Sequence, residues 1–131
     1  MEEALIAYLL AASGIAALVS TRVFPHSLLQ GSALPAVTVQ RISGAPLYAD
    51  DGEVGLDNPR MQVDCWATTY AGAKTLARAV KSRLSAFYGT TGGVDFHYIL
   101  LDNERDDREA GANNAAYIYR VSLDIIVWNA T

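Results

Sequence analysis

Between Arg60 and Tyr88 the spacing of apolar residues changes from a period of about 2 to one of about 3.6, and that change limits what the chain can fold into. In the stretch Arg60-Met61-Gln62-Val63-Asp64-Cys65-Trp66-Ala67-Thr68, one face carries Met61, Val63, Cys65 and Ala67. The other carries Gln62, Asp64, Trp66 and Thr68. Thr68 or Thr69 then caps a helix running to about Tyr88, where Ala73, Leu76, Ala77, Val80, Leu84 and Phe87 form one apolar stripe. A strand and a helix that each have one face to remove from water are satisfied by packing helices on a sheet.

The flanking segments extend that layer. Ala36 to Ile42 alternates as a half-buried strand, with Val37 and Val39 on one face and Thr38 and Gln40 on the other. Phe96 to Leu101 reads as a short strand. Ala116 to Trp128 reads as the last one, with Tyr117, Tyr119, Val121, Leu123, Ile125 and Val127 on one face and Arg120, Ser122, Asp124 and Trp128 on the other. Gly89 is the expected stop of the long helix and Thr90–Gly93 the turn after it, while Phe24 to Pro35 is extended and turn-like. Ser43–Pro59 and Asp102–Asn114 are expected to be long connections, the second one charged; connections beyond about 12–15 residues usually have a function or move.

At the N-terminus, the apolar run from Ala4 to Val19 is about 16 residues long, short of the roughly 20 that cross a bilayer, and Ser13-Gly14 interrupts it. An export signal would begin with basic residues, whereas Glu2 and Glu3 stand here and suit the N-terminal dipole of a helix. A pair of buried helices, the second starting near Ser13, is the expectation. The order becomes α-α-β-β-α-β-β. That is an α+β fold, with a mainly antiparallel four-stranded sheet packed by a long helix and an N-terminal helical segment. With 131 residues, 51% of them hydrophobic, and no repeat or linker, residues 1–131 are expected to form one domain with a real core.

Ten Lys+Arg against fourteen Asp+Glu leave a net charge of −4, the wrong sign for a protein that binds nucleic acid through its phosphates. The lone cysteine, Cys65, cannot form an internal disulfide and sits where a small core residue belongs. The chain has no nucleophile elbow, zinc-protease motif, C-x-x-C or P-loop, so no catalytic, metal-binding or cofactor-binding residue is assigned. His26 and His97 stand in a turn and a strand, without ligand spacing to Cys65. Asp50, Asp51, Glu53 and Asp57 do not follow an EF-hand pattern and read as a solvated acidic loop. Asp102, Glu104, Asp106, Asp107 and Glu109 read the same way. Lys74, Arg78 and Lys81 form a basic stripe on the long helix without the interleaved aromatics of a nucleic-acid site.

An ordered set of motifs resembles a known family. It comprises Arg22-Val23-Phe24-Pro25, Gln30-Gly31, Leu34-Pro35 and Ile42-Ser43-Gly44. Asp51-Gly52, Gly55-Leu56 and Arg60 to Ala67 follow, then Thr69-Tyr70, Leu76-Ala77, Ala79-Val80, Tyr119 to Asp124 and Val127-Trp128. Together they resemble the tail-completion, or tail terminator, proteins of long-tailed phages and phage-like gene transfer agents. The resemblance implies a structural virion protein without a cofactor, similar in fold to the one expected here. It implies a ring, expected as a hexamer, that caps the tail tube at its head-proximal end, stops its growth and meets the head connector. DNA would pass only as cargo, no membrane would be involved, and assembly would take place in the host cytoplasm. A head-completion protein of the virion, or a small ligand-binding or enzymatic α+β domain, are the alternatives.

A ring subunit needs two unlike lateral surfaces. Asp50, Asp51, Glu53, Asp57, Asp106 and Asp107 on one side, and Lys74, Arg78 and Lys81 on the other, are the expected contacts with a neighbouring subunit or the tail tube. The Ser43–Pro59 connection is the expected arm toward the tube.

Overall fold

The computed structural model describes residues 1–25, 33–44, 46–49, 52–109 and 117–130. Three helices and eight strands appear among them: α1 (Glu2–Leu10), α2 (Ser13–Val19), β1 (Val23–Pro25), β2 (Ala36–Ser43), β3 (Pro46–Ala49), β4 (Gly52–Asp57), β5 (Arg60–Ala67), α3 (Tyr70–Leu84), β6 (Gly89–Thr91), β7 (Val94–Glu109) and β8 (Ile118–Ala130). The α+β class is as expected, but the sheet has eight strands in place of four. One path runs β1-β2-β5-β8-β4-β3, with β7 on β8 and β6 on β7 off that path. Among the described residues only β1 and β2 pair in parallel.

Register sets the core. Val37, Cys65 and Val121 lie abreast on β2, β5 and β8, as do Val39, Val63 and Leu123. These side chains, with Met61, Ile125, Val127 and Ile99, are buried in one cluster with Ala73, Leu76, Ala77, Val80 and Leu84 of α3. Thr69 caps α3, its hydroxyl accepting from the Gly72 amide at 3.0 Å, which satisfies one of the helix's free N–H groups. The helix ends at Leu84 rather than near Tyr88, with Ser85 and not Gly89 as its cap. Ala86 then takes a positive φ of 60°, and its amide donates to the Ile99 carbonyl at 3.0 Å. The expected turn at Thr90–Gly93 is narrower. Thr91 pairs with Val94, and only Gly92 and Gly93, at φ 58° and 78°, make the two-residue reversal.

α1 and α2 meet at 90° and bury Leu5, Leu9, Ile15 and Val19 in the same core. No single helix among the described residues is long and apolar enough to cross a membrane. Burial pushes the thiol pKa of Cys65 far up, since water cannot solvate a thiolate there. Aspartate and glutamate charges nearby act in the same direction.

Two expected connections are strands. The Ser43–Pro59 segment contains the β3–β4 hairpin, which joins β8 through the pair Asp57 and Asn129. The charged segment from Asp102 is no loop, because β7 continues through Glu109 along β8. A register shift between Leu101 and Asn103 moves the helix-facing positions from Ile99 and Leu101 to Glu104, Asp106 and Arg108. Past that bulge the helix-facing side chains are charged, and ion pairs with α3 take the place of apolar contacts.

Candidate functional site

The charged residues singled out in the sequence gather where α3 meets β7. Lys74 and Lys81, one flank of α3, reach the helix-facing acids of the strand. Lys74 Nζ lies 2.8 Å from Asp106 Oδ1, and Lys81 Nζ 3.1 Å from Glu104 Oε1. Tyr70, in the first turn of α3, donates its hydroxyl to Asp106 Oδ2 at 3.0 Å. The Lys74 ammonium and the tyrosine hydroxyl, both offered to the ionised acid, hold the Asp106 carboxyl below the usual carboxylate range. The same hydrogen bond raises the Lys74 pKa.

Arg78 lies between the two lysines along the stripe, is exposed, and has no ion-pair partner among the described residues. Two of the three cations expected to face another subunit are thus engaged within their own chain. Asp107 points to the opposite face of the sheet and pairs with Arg120 NH2 at 2.7 Å. Its carboxyl is held low first by the Arg108 amide, which donates to it at 2.8 Å, and then by Arg120. Asp57 is at the root of the β3–β4 hairpin, far along β8 from this cluster. Glu53 lies on β4, and Asp50 and Asp51 fall outside the described residues.

Around Asp106 the surface is aromatic as well as charged. Tyr70, Asp106, Asp107, Arg108 and Tyr119 line a shallow groove of about 310 Å³. Tyr70 and Tyr119 meet edge to face at 6.3 Å, and the Arg108 guanidinium lies 4.3 Å over the Tyr117 ring. The sequence reading missed this cluster because Tyr70 lies on α3, Tyr119 on β8 with Tyr117 just before it, and Arg108 on β7. The alternation Tyr117, Tyr119 opposite Arg108 was the available signal, visible once 102–109 is paired as a strand.

The far side of the sheet is polar and largely covered. Thr38, Asp64, Trp66, Ser122 and Asp124 are all buried there. The Trp66 indole N–H donates to the Thr38 hydroxyl at 3.0 Å, Gln62 donates to both oxygens of Asp64, and Arg105 pairs with Asp124. Among the described residues, no group of three or more His, Cys, Asp or Glu is placed to hold a metal ion.

The model of the tail completion protein gp17 family matches residues 3–129. The chain belongs to that family. No curated protein matches it in sequence. Among solved structures it is similar to a chain in the virion of a native gene transfer agent particle. The TM-score is 0.75 at 20% identity, over 100% of this chain and 95% of that one. At that identity the likeness shows a shared fold, so this tail completion family member and the virion chain have the same arrangement of helices on a sheet.

Proposed function

We propose that the protein is a structural component of a phage-type tail. Copies form a ring, expected as a hexamer, on the last ring of the tail tube; the ring ends tube growth and presents a surface to the head connector. The role involves no catalysis and no cofactor. The observation that carries this reading is the family match over residues 3–129, supported by a fold shared along the whole chain with a virion protein.

The surface suits such a role. The groove at Tyr70, Arg108 and Tyr119 has the tyrosine and arginine composition found at the centres of protein interfaces. Exposed Arg78 is offered to an acidic surface of a neighbour, and the β3–β4 hairpin, tied to the body through Asp57 and Asn129, is the arm toward the tube. A net charge of −4 suits a channel through which DNA slides without binding. On this reading the protein acts at the head-proximal end of the tail and is assembled in the host cytoplasm.

The test is electron microscopy of tail-tube protein polymerising with and without this chain. Capping of one end, with shortened tubes and ring-shaped end views, is the expected result. Tubes that grow unchanged at saturating concentrations of the chain would overturn the reading.

A further inference from the structure

Among the described residues, the two ends of the β2-β5-β8-β7 run leave backbone unpaired. β1 covers β2 only at Val37, Thr38 and Val39, so Gln40 to Ser43 has no strand on its outer side among the described residues. On β7, β6 covers Val94 to Phe96, and the Ala86–Phe87 backbone covers Ile99. From Leu100 to Glu109 that edge has no pairing partner among the described residues. Both open stretches expose aliphatic side chains: Ile42 is 46% accessible, Leu100 42% and Leu101 39%.

Exposed strand edges are ordinarily protected by free charges, which repel or fail to desolvate beside an incoming strand. Asp102, Glu104, Arg105, Asp106 and Asp107 look like such guards, yet each is tied to a partner in its own chain, Arg60, Lys81, Asp124, Lys74 and Arg120 respectively. From Asp102 to Asp107 the edge therefore presents a row of backbone donors and acceptors whose flanking charges are already paired within the chain. The open stretches differ from one another and lie at opposite ends of one run of strands. That is the requirement for a heterologous contact, the kind that closes into a ring.

We infer that the outer edge of β7, Leu100–Glu109, receives the Gln40–Ser43 end of β2 from a second copy of this chain, so that the sheet continues from copy to copy. Leu100 and Leu101 stand on opposite faces of β7, and Ile42 of the incoming strand then brings its aliphatic side chain beside the one on its own face. A strand this short gives a weak contact on its own, so the contact forms where a tube end gathers the copies and supplies the effective concentration. The inference rests on the ring reading proposed above.

The full chain carrying a photo-cross-linking residue at Leu101 is bound to tube ends and irradiated, and products are mapped by mass spectrometry. The expected product joins two copies of this chain, Leu101 to the Gln40–Ser43 segment. Amides of 100–109 should also exchange at least about tenfold more slowly on capped tubes than in the free chain. Ile42→Lys, at an exposed position, should leave the melting temperature of the free chain unchanged and abolish the cross-link. Cross-links to tube protein or to another segment, or unprotected amides on tubes that are capped, overturn the edge contact and leave capping intact. A chain that does not cap tubes overturns both.

Discussion

Tyr8 and Arg83 hold each other through side chain and backbone alike. The tyrosine hydroxyl donates to the Arg83 carbonyl at 3.0 Å, and the Arg83 Nε and NH2 groups donate to the Tyr8 carbonyl at 3.1 and 3.0 Å. The guanidinium also lies 3.7 Å over the Tyr8 ring, whose other contact is a stack on Phe87 at 4.0 Å. The ends of α1 and α3 are thereby fastened: a cation answers a carbonyl of α1's last turn, where an intrahelical donor is missing. Arg83→Met keeps the apolar stem but removes the fork, and should lower stability by about 2 kcal/mol, the size of a lost charged hydrogen-bond pair. Urea unfolding of both proteins measures it, and equal midpoints would show that the clasp contributes nothing.

The Lys74–Asp106 pair gives a pH dependence whose sign is fixed by the two shifts. Asp106 has its pKa lowered on folding, so its contribution is present above the unfolded carboxylate value of about 3.9 and is lost as pH falls through the folded one. Lys74 has its pKa raised, so its share is present below about 10.4 and is lost as pH rises through the folded value. Water and salt screen both groups, which limits the pair to about 0.5 kcal/mol. Asp106→Asn should therefore be slightly less stable than the parent at pH 7. The difference should vanish at a pH below the folded Asp106 value, and shrink in high salt. A difference that persists undiminished in strong acid would assign the effect to packing instead.

The indole N–H of Trp66 and the hydroxyl of Thr38 form a buried polar pair on the sheet face away from α3. Thr38→Val preserves shape and removes the acceptor, leaving a buried donor unpaired at a cost of about 1–3 kcal/mol. Thr38→Ser keeps the hydroxyl and should lose less. Denaturation followed by tryptophan fluorescence separates the two variants. If valine were as stable as threonine, water would be serving the indole.

β5 and α3 were legible because each turns one apolar face to the core, and that face prints its period on the sequence: Met61, Val63, Cys65 and Ala67 in one, Ala73, Leu76, Ala77, Val80 and Leu84 in the other. The far half of β7 was not legible. Its bulge near Leu101 shifts the phase of the side chains, and beyond it Glu104 and Asp106 are held by lysines of α3 rather than by apolar contacts. A run of mixed charges then looks like a solvated loop, though Asp102, Glu104, Arg105, Asp106 and Asp107 each have a fixed partner. The β3–β4 hairpin escaped notice for a related reason, since its glycines and acids carry no alternation. The candidate residues themselves could be named, but not their pairing. That required knowing that β7 runs beside the lysine flank of α3.

Arg78 separates a role in assembly from one in folding. It shares a helical stripe with Lys74 and Lys81, but those two are satisfied by Asp106 and Glu104, whereas Arg78 is exposed with no ion-pair partner among the described residues. Arg78→Glu should consequently change the unfolding free energy by less than about 0.5 kcal/mol, as at ordinary surface positions. If a neighbour in the ring or the tube offers an acidic surface to this stripe, the same substitution places like charges together and weakens association, more so at low salt. Counting capped tube ends against chain concentration reads the effect, and Lys74→Glu is the contrast, because it also breaks the internal pair with Asp106 and lowers stability. Unchanged capping by a fully folded Arg78→Glu chain would remove this stripe from the assembly surface.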